Sequence, residues 1–253
     1  MENTLISIIT PVHNSGNFIL ETIKSVQEQT YSKWELILID DCSTDNSVDS
    51  IEKIKENDPR ISLIKNDKNS GPAITRNKGI KAAKGEFITF LDGDDIWKPN
   101  FLKTSLAMCL NNNYEFVFAS YERKNEYLEP YISDFIVPDK VSYHDVLKSC
   151  PISCLTAFVD IRRIGKYYMP ELHKRQDWGL WLAILRNVDF AYGIKEPLAI
   201  YRMRKNSVSR NKLKLIPYVW KIYRDVEKLG MIKSFYLTMH WGLSGFKKYY
   251  INR

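Results

Sequence analysis

The chain has 253 residues, of which 44% are hydrophobic and 26% are charged, and its formal net charge is +7. This is the composition of a globular protein with enough apolar residues for a real core, which excludes a chain too polar to fold. No apolar run approaches the roughly 20 residues that span a bilayer. The N-terminus lacks the basic start and long apolar region of a secretion signal, so we expect a cytosolic location.

The positive charge is concentrated towards the C-terminus. Residues 202–253 carry 13 Lys and Arg against Asp225 and Glu227, which leaves a small net negative charge on the rest of the chain. A mildly acidic body with a strongly basic tail indicates an anionic partner rather than a particular fold. The four cysteines lack the Cys-x-x-Cys spacing of redox or zinc sites, so we expect them to be reduced and mostly structural.

The first hundred residues alternate apolar runs typical of strands with segments of helical periodicity. Strands are predicted at 5–10, 34–39, 61–64 and 87–91, and the third intervening helix opens at Gly71 and Pro72. Such alternation with short connections predicts a parallel sheet covered by helices on both faces, with ligands at the carboxyl ends of the strands. The Gly-x-Gly-x-x-Gly turn of dinucleotide-binding domains is missing after the first strand.

Carboxylates follow the fourth predicted strand. Asp92 and Asp94 flank Gly93, which lets the backbone turn tightly and brings both acids to one point, and Asp95 comes next. Because these acids repel one another, we expect a cation among them, and Mg²⁺ or Mn²⁺ takes one or two carboxylates plus substrate phosphates. The residues indicate a metal–diphosphate site, and an acidic surface turn is the alternative.

Several segments resemble, in order, a known family. They are residues 8–14, 29–31, 35–45, 71–80 and the strand that runs into residues 92–95. The chain resembles the family 2 glycosyltransferases of the GT-A fold, inverting enzymes with nucleotide-sugar donors, among them bacterial enzymes of surface polysaccharide synthesis. The resemblance implies an α/β fold with a mostly parallel, Rossmann-like sheet and helices on both faces. We predict a catalytic domain at 1–210, with a nucleotide-binding half at 1–100 and an acceptor-side half at 101–210, and a helical extension at 211–253.

The resemblance also implies contacts to the nucleotide sugar. These contacts are Pro11, Val12, His13, Asn14, Asp40, Asp41, Arg76, Asp92, Gly93, Asp94 and Arg202. The residues after the first strand would line the uridine pocket, and Asp40 or Asp41 would bond the uracil edge. Arg76 would support the diphosphate. Asp94, with Asp92, would bind a divalent metal cofactor, Mn²⁺ or Mg²⁺, that stabilises the leaving diphosphate.

A further acid precedes an amphipathic helix that contains Trp181. By itself, Asp177 is better explained by an N-capping role. In the family, this position carries Glu-Asp ahead of a Trp-containing helix, so the resemblance implies that Asp177 is the general base that deprotonates the acceptor hydroxyl. Gln176 stands where the family has Glu, which puts only the supporting carboxylate in doubt.

Three later segments are less specific. Residues 120–150 have weak periodicity and are predicted to be a variable acceptor-side insertion, ahead of a strand at 155–159. Residues 202–210 resemble a loop over the donor, where Arg202, Arg204 or Lys205 would contact phosphate, and a solvated basic loop is the alternative. From Leu213 onward, basic and aromatic residues interleave at helical spacing, which suits either an anionic membrane surface or a helix packed on the body.

We therefore predict a metal-dependent inverting glycosyltransferase that moves a hexose from a UDP-sugar to a polysaccharide or a polyprenyl-diphosphate-linked oligosaccharide. The predicted location is cytoplasmic and peripheral on the inner face of the membrane, and no nucleic-acid partner is expected. One alternative is a sugar-phosphate nucleotidyltransferase, although its glycine-rich triphosphate loop is missing. The other is a non-catalytic nucleotide-sugar-binding module, against which Asp92, Asp94 and Asp177 argue. His173 and His240 are not assigned as metal ligands.

Overall fold

The computed structural model describes residues 3–204 and 215–250, with side chains as far as Leu243, so Lys205 lies outside the described residues. The strands of this part are β1 (Ile6–Val12), β2 (Trp34–Asp40), β3 (Ile61–Lys65), β4 (Phe87–Phe90), β5 (Ile96–Trp97), β6 (Phe116–Asn125), β7 (Pro130–Phe135), β8 (Lys140–Val141), β9 (Phe158–Asp160) and β10 (Ala191–Met203). Its helices are α1 (Ile19–Gln27), α2 (Ser47–Lys55), α3 (Gly71–Ala82), α4 (Phe101–Asn112), α5 (Tyr143–Lys148), α6 (Ile161–Ile164), α7 (Gln176–Leu185), α8 (Ile216–Lys221) and α9 (Met231–Tyr250), with a 3₁₀ turn at Cys154–Thr156 and a π turn at Ile222–Val226.

The strands form one sheet in the order β3-β2-β1-β4-β9-β6-β10-β5, with β7 beside β6 and β8 beside β10. Strands β3, β2, β1 and β4 pair in parallel, which confirms the parallel sheet predicted for the first hundred residues. Strand β9 pairs antiparallel with both β4 and β6, whereas β6 and β10 pair in parallel. The sheet is therefore parallel in its N-terminal half and mixed beyond it.

Helices cover both faces because successive residues of a strand point to opposite sides of the sheet. In β1, Ile8 belongs to an apolar cluster with residues of α1, α2 and α4, whereas Ile9 belongs to a second cluster with residues of α3 and α7. Strands that are buried on both faces need apolar residues at nearly every position. That requirement explains why β1 and β2 are nearly continuous apolar runs in the sequence.

Helix α3 lies unusually close to the sheet, and its first turn is fixed at the edge where β2 ends. A Cβ on Gly79 would lie 2.5 Å from Cγ2 of Ile9, so a side chain there would push the helix away. The carboxylate of Asp41, directly after β2, accepts hydrogen bonds from the backbone N–H groups of Ser70 and Gly71, each at 2.8 Å. These bonds satisfy donors that a helix start otherwise leaves free.

Residues 120–150, predicted to be a variable acceptor-side insertion, contain β7, β8 and α5, and their role towards the acceptor stays a prediction. Strand β6 extends into this region as far as Asn125, and β7 pairs antiparallel with it. Nearly all of β7 is exposed, so it carries no alternation of apolar and polar residues that a sequence pattern reveals. The strand predicted at 155–159 is a 3₁₀ turn at Cys154–Thr156 followed by β9. The carbonyl oxygen of Leu155 in that turn accepts a hydrogen bond from the indole N–H of Trp97 at 2.9 Å.

The described part of the tail packs on the body through one face. Val219, Ile222 and Leu237 are buried in the apolar cluster that contains α7. The carboxylate of Glu227 accepts hydrogen bonds from Arg186 at 2.6 Å and from the hydroxyl of Tyr143. This face of the tail is therefore packed on the body, which is one of the two alternatives predicted for the tail. The division of the chain into two domains at residue 210 stays a prediction.

The other face of the tail is apolar and exposed. We call this surface the outer face of α9, and it consists of Met231, Ile232, Phe235, Tyr236, Met239 and Leu243. Ile232 is 89% exposed and Phe235 is 62% exposed. None of the helices within residues 3–204 and 215–250 has both the length and the apolar character to cross a membrane.

Candidate functional site

A cavity of about 520 Å³ opens where β1, β2 and β4 end. Nine of the eleven predicted contacts and the predicted base line it: Pro11, Val12, His13, Asp41, Arg76, Asp92, Gly93, Asp94, Arg202 and Asp177. The lining also includes residues that the sequence reasoning did not assign, among them Ser15, Asn69, Lys174, Arg175 and Tyr201. The structure thus brings together groups as far apart in the chain as Pro11 and Arg202, because three strand ends and the start of α7 meet at one edge.

Asn14 and Asp40 are the predicted contacts that do not line the cavity. Asn14 has a positive φ of 50°, and its Oδ1 accepts a hydrogen bond from the backbone N–H of Thr44 at 2.8 Å. Asp40 is buried and accepts one from the backbone N–H of Ser43 at 3.2 Å. Both side chains therefore fix the loops after β1 and β2, on which the neighbouring residues face the cavity.

Asp41 and His13 form one end of the cavity. Nδ1 of His13 lies 2.9 Å from the carbonyl oxygen of Asp41, which requires that this nitrogen carry the proton. Burial raises the pKa of the Asp41 carboxyl, but hydrogen bonds from Ser70, Asn66 and Gly71 outweigh burial and lower the pKa below its ordinary value. This end of the cavity therefore presents a fixed, ionised acceptor group.

Two arginines balance the carboxylates that follow β4. Arg76 of α3 pairs with Asp92, and Arg204, just after β10, pairs with Asp94 at 2.7 Å. We expected a metal ion to be the cation among these acids, but the guanidinium groups already relieve the repulsion, so electrostatics alone does not require a metal. Burial raises the pKa of Asp94, while Arg204 opposes that rise and Asp92 adds to it.

Gly93 lies in a tight turn and is also closely packed. The backbone N–H of Asp95 donates to the carbonyl oxygen of Asp92 at 3.0 Å and closes a β-turn around Gly93 and Asp94, so the predicted turn is confirmed. The φ of Gly93 is not positive, so the turn itself does not require glycine. A Cβ at this position would lie 3.1 Å from Oγ of Ser15 and 3.4 Å from the carbonyl oxygen of Pro11. The absence of a side chain lets the backbone between the two aspartates lie against the loop after β1.

Arg76 keeps unused donors inside the cavity wall. Its Nε and Nη1 are buried and have no partner within the described residues, since only Nη2 contacts Asp92. A buried charged donor without a partner costs about 1–3 kcal/mol or more, so this group is suited to a ligand oxygen. The prediction that Arg76 contacts the donor is consistent with this geometry.

Arg202, in contrast, has its donors in use. Its guanidinium pairs with Glu21 and donates to the backbone carbonyl oxygens of Asp94 at 2.8 Å and Glu126 at 2.7 Å, and only 2% of the side chain is exposed. Its backbone N–H donates to the buried carboxylate of Asp95 at 2.8 Å. Arg202 therefore fixes the loop that carries the acids, although it also lines the cavity.

Asp177 lies in the first turn of α7 and faces the cavity. The N-cap of this helix is Arg175, whose φ of 63° is in the left-handed region, so the alternative that Asp177 is the N-cap is wrong. The Asp177 carboxylate has no hydrogen bond or ion pair within residues 3–204 and 215–243, whereas Gln176 beside it is buried with its Oε1 unpaired. A half-buried carboxylate with free lone pairs is what a general base requires.

The donor set at the end of β4 is compatible with a divalent metal. Asp92 and Asp94 offer carboxylate oxygens, the ligand type that Mg²⁺ and Mn²⁺ prefer, and their side chains are 35% and 19% exposed. Within the described residues no group of three His, Cys, Asp or Glu is arranged to hold a metal ion. Asp92 and Asp94 would hold a metal here only together with other ligands, and Asp94 would have to exchange its contact with Arg204 for one with the ion.

The chain matches a family profile and close relatives in sequence. Residues 7–154 match Glycosyl transferase family 2. The putative teichuronic acid biosynthesis glycosyltransferase TuaG of Bacillus subtilis (strain 168) is 36% identical over 244 residues, which cover 96% of this chain and 97% of that protein. The UDP-Glc:alpha-D-GlcNAc-diphosphoundecaprenol beta-1,3-glucosyltransferase WfgD of Escherichia coli is 36% identical over 250 residues, covering 98% of this chain and 96% of that protein.

Solved structures agree in fold. S. aureus TarS in complex with UDP-GlcNAc has a TM-score of 0.70 at 19% identity, covering 93% of this chain and 71% of that one. The mannosyltransferase PcManGT from Pyrobaculum calidifontis, in complex with GDP-Man and Mn²⁺, has a TM-score of 0.67 at 16% identity, covering 90% and 65%. The predicted GT-A fold is thereby confirmed. The family profile matches more than half of the chain, and the relatives match almost its whole length. This protein is therefore an enzyme of glycosyltransferase family 2.

Proposed function

We propose that the enzyme transfers a hexose, with inversion, from a UDP-sugar to a saccharide linked to a polyprenyl diphosphate, in the synthesis of a surface polysaccharide. The observation that carries this proposal is the carboxylate of Asp177, which has no partner among the described residues and lines the same cavity as the predicted donor-binding residues. Relatives support the substrate class, because WfgD is named for transfer from UDP-Glc to a GlcNAc-diphosphoundecaprenol. Family membership disfavours the nucleotidyltransferase and the non-catalytic alternatives.

The donor binds along the ends of β1, β2 and β4. The uridine occupies the end formed by His13 and Asp41, where the ionised carboxylate accepts the uracil N–H. Asp94, with Asp92, holds the divalent ion, and Arg204 exchanges its carboxylate partner for a phosphate oxygen. When bound, the metal is a Lewis acid that stabilises the negative charge on the departing UDP.

The transfer step needs one proton acceptor and one electrophilic carbon. The acceptor hydroxyl gives its proton to Asp177 while its oxygen attacks C1 of the hexose, and the bond from C1 to the UDP oxygen breaks as the new bond forms. Because attack and departure occur on opposite faces, an α-linked donor gives a β-linked product. The unpaired Nε and Nη1 of Arg76 contact the donor sugar or its phosphate in this arrangement.

Direct assay tests the proposal. We expect the purified enzyme to release UDP from one member of a UDP-hexose panel only when a short-chain GlcNAc-diphosphate-alkyl acceptor is present, and nuclear magnetic resonance to show a β linkage in the product. Release of pyrophosphate from UTP and a sugar 1-phosphate would contradict the proposal in favour of a nucleotidyltransferase. Metal-dependent UDP binding without transfer to any diphosphate-linked acceptor would contradict it in favour of a binding module.

The enzyme also binds an anionic membrane surface through the outer face of α9. That face is apolar and aromatic, and residues 228–253 contain no Asp or Glu but several Lys and Arg. A helix with one apolar face and basic surroundings lies in the plane of the membrane interface, where anionic lipids attract the positive charge. This arrangement brings the cavity to the surface that holds a lipid-linked acceptor.

The double substitution Ile232→Ser/Phe235→Ser is expected to lower binding to anionic liposomes by about tenfold or more, because each side chain loses most of its apolar burial in the interface. Cosedimentation with vesicles of anionic and of neutral lipid measures this loss. Deletion of the tail is unsuitable, since Val219 and Leu237 belong to the core. Leu20→Ser is the matched control, because Leu20 is 50% exposed on α1. Equal binding by both variants would contradict the membrane proposal.

A further inference from the structure

Two cations in the cavity wall have no anionic partner among the residues that the structure describes. Lys174 and Arg175 are half-buried, line the cavity, and make no side-chain hydrogen bond or ion pair within the described residues. The other arginines of this lining, namely Arg76, Arg202 and Arg204, each pair with a carboxylate. A half-buried charge without a counterion is costly, so this pair of residues is suited to an anion that arrives with a ligand.

The backbone fixes these cations beside the predicted base. Arg175 adopts a φ of 63°, which is uncommon for a residue with a side chain, and it forms the N-cap of α7. The helix has no side-chain cap, so N–H groups of its first turn are available at the same end. Asp177 lies in that first turn, and Gln176 between them is 8% exposed with its Oε1 unpaired.

These groups together match a phosphorylated sugar rather than a simple anion. The cations bind phosphate oxygens, and a buried Oε1 without a partner requires a donor such as a sugar hydroxyl. Asp177 accepts the proton of the hydroxyl that reacts. The base must contact the acceptor, and Lys174 and Arg175 lie on the same short segment. Their anion is therefore carried by the acceptor, whereas the donor phosphates already have Arg204 and the aspartate pair at the end of β4.

The cations also mark the junction between the cavity and the tail. Nζ of Lys174 lies 5.8 Å from the centre of the Tyr218 ring on α8, and Cζ of Arg175 lies 5.9 Å from the centre of the Trp241 ring on α9. Leu215, directly before α8, lines the cavity itself. A chain attached to the bound anion thus leaves the cavity beside the helix whose outer face is apolar.

We propose that Lys174 and Arg175 bind the diphosphate of the lipid-linked sugar acceptor, with Gln176 bonding a hydroxyl of the sugar next to it. This inference rests on the proposed function, since it assigns the acceptor half of the same cavity. The enzyme then recognises the acceptor sugar together with its diphosphate. We therefore expect the same sugar on a neutral alkyl chain to be a poor substrate.

The test compares two acceptors and one double variant, Lys174→Gln/Arg175→Asn, in which Asn tolerates the left-handed backbone. We expect KM for a GlcNAc-diphosphate-alkyl acceptor to rise at least about tenfold, as for the loss of charge-assisted hydrogen bonds. The value of kcat and the Kd for UDP with Mn²⁺ should stay within about threefold of the wild type. KM for the matching neutral alkyl glycoside should not change. Lys53→Gln, an exposed site on α2, is the control for loss of charge.

Other outcomes overturn the inference. Equal losses on both acceptors would indicate a structural role, and weaker UDP binding would assign the two cations to the donor. Should the double variant fail to fold, Lys174→Gln alone provides the same comparison.

A binding measurement separates failure of this inference from failure of the proposed function. A sugar-free alkyl diphosphate, titrated in the presence of saturating UDP and Mn²⁺, should bind the wild type and bind the variant at least about tenfold more weakly. If the wild type transfers no sugar yet shows this difference, the proposed function fails and the diphosphate site stands. The opposite result is transfer by the wild type together with a variant that has the same acceptor KM and the same affinity for the alkyl diphosphate as the wild type. In that case the proposed diphosphate site is wrong and the proposed function stands.

Discussion

Replacing Asp177 with asparagine is expected to lower turnover by roughly 10²-fold or more, because a positioned base contributes about that much to proton transfer. The change keeps the shape of the side chain and removes only its ability to take the proton. Since the carboxylate has no protein partner among the described residues, no other contact is lost. Steady-state kinetics with a UDP-hexose and the diphosphate-linked acceptor measure the effect, and calorimetry with UDP and Mn²⁺ should give a nearly unchanged Kd.

Stability distinguishes this catalytic role from a structural one. An acid in the first turn of a helix contributes only about 0.3–1 kcal/mol through the helix dipole, so Asp177→Asn should lower the unfolding midpoint by a few degrees at most. Asp189→Asn, an exposed position after α7, is the matched control and should leave turnover unchanged. Loss of UDP binding together with turnover would show that Asp177 shapes the cavity instead of acting as its base.

The second large effect concerns the metal. Asp94→Ala is expected to abolish the part of UDP affinity that depends on Mn²⁺, because Asp94 is the principal carboxylate of the proposed metal site. A bound metal ion is worth several kcal/mol, so the loss should reach about 10²-fold. The substitution also frees Arg204, which pairs with Asp94 at 2.7 Å, and this arginine should retain weak, metal-independent binding of the diphosphate. Calorimetric titration with UDP, with Mn²⁺ and with a chelator, measures both components.

Two comparisons make the result decisive. Asp67→Ala removes an acid at an exposed loop position near the site and should leave metal-dependent binding intact. The wild type in chelator should resemble Asp94→Ala in Mn²⁺. If Asp94→Ala binds UDP as tightly as the wild type and still responds to Mn²⁺, Asp94 is not a metal ligand.

Much of the fold follows from sequence because its central strands are buried on both faces. In β1 and in β2 five of the seven residues are apolar, and such runs are recognisable without any structure. Strand β7 was missed because it lies exposed at an edge, where packing imposes no pattern. Strand β5 has only two residues, Ile96 and Trp97, and depends on pairing with the distant β10. Elements that are buried by packing are therefore recognisable from the sequence. Elements that form only through long-range strand pairing are not.

The site was predictable for a different reason. Asp92, Asp94 and Asp177 follow strand ends or open a helix, where topology alone brings them to one edge. Whether a loop side chain faces inward depends on local backbone bonds, and for that reason Asp40 proved to be buried behind the cavity. The pairing of Arg76 with Asp92 depends on how α3 lies on the sheet, which no spacing reveals. The run of basic residues at 173–175 was the available signal for the cations beside the base.

The shared core of tail and body has a consequence for how such enzymes diversify. Arg186 and Tyr143, on the body, both bond Glu227 of the tail, so the inner face of the tail cannot change unless the body changes with it. The outer face of α9 has no such partners within the described residues. Enzymes built on this plan are free to adapt to membranes of different composition by substitution on one side of a single helix. Exchange of whole tails between distant relatives, in contrast, would leave mismatched cores.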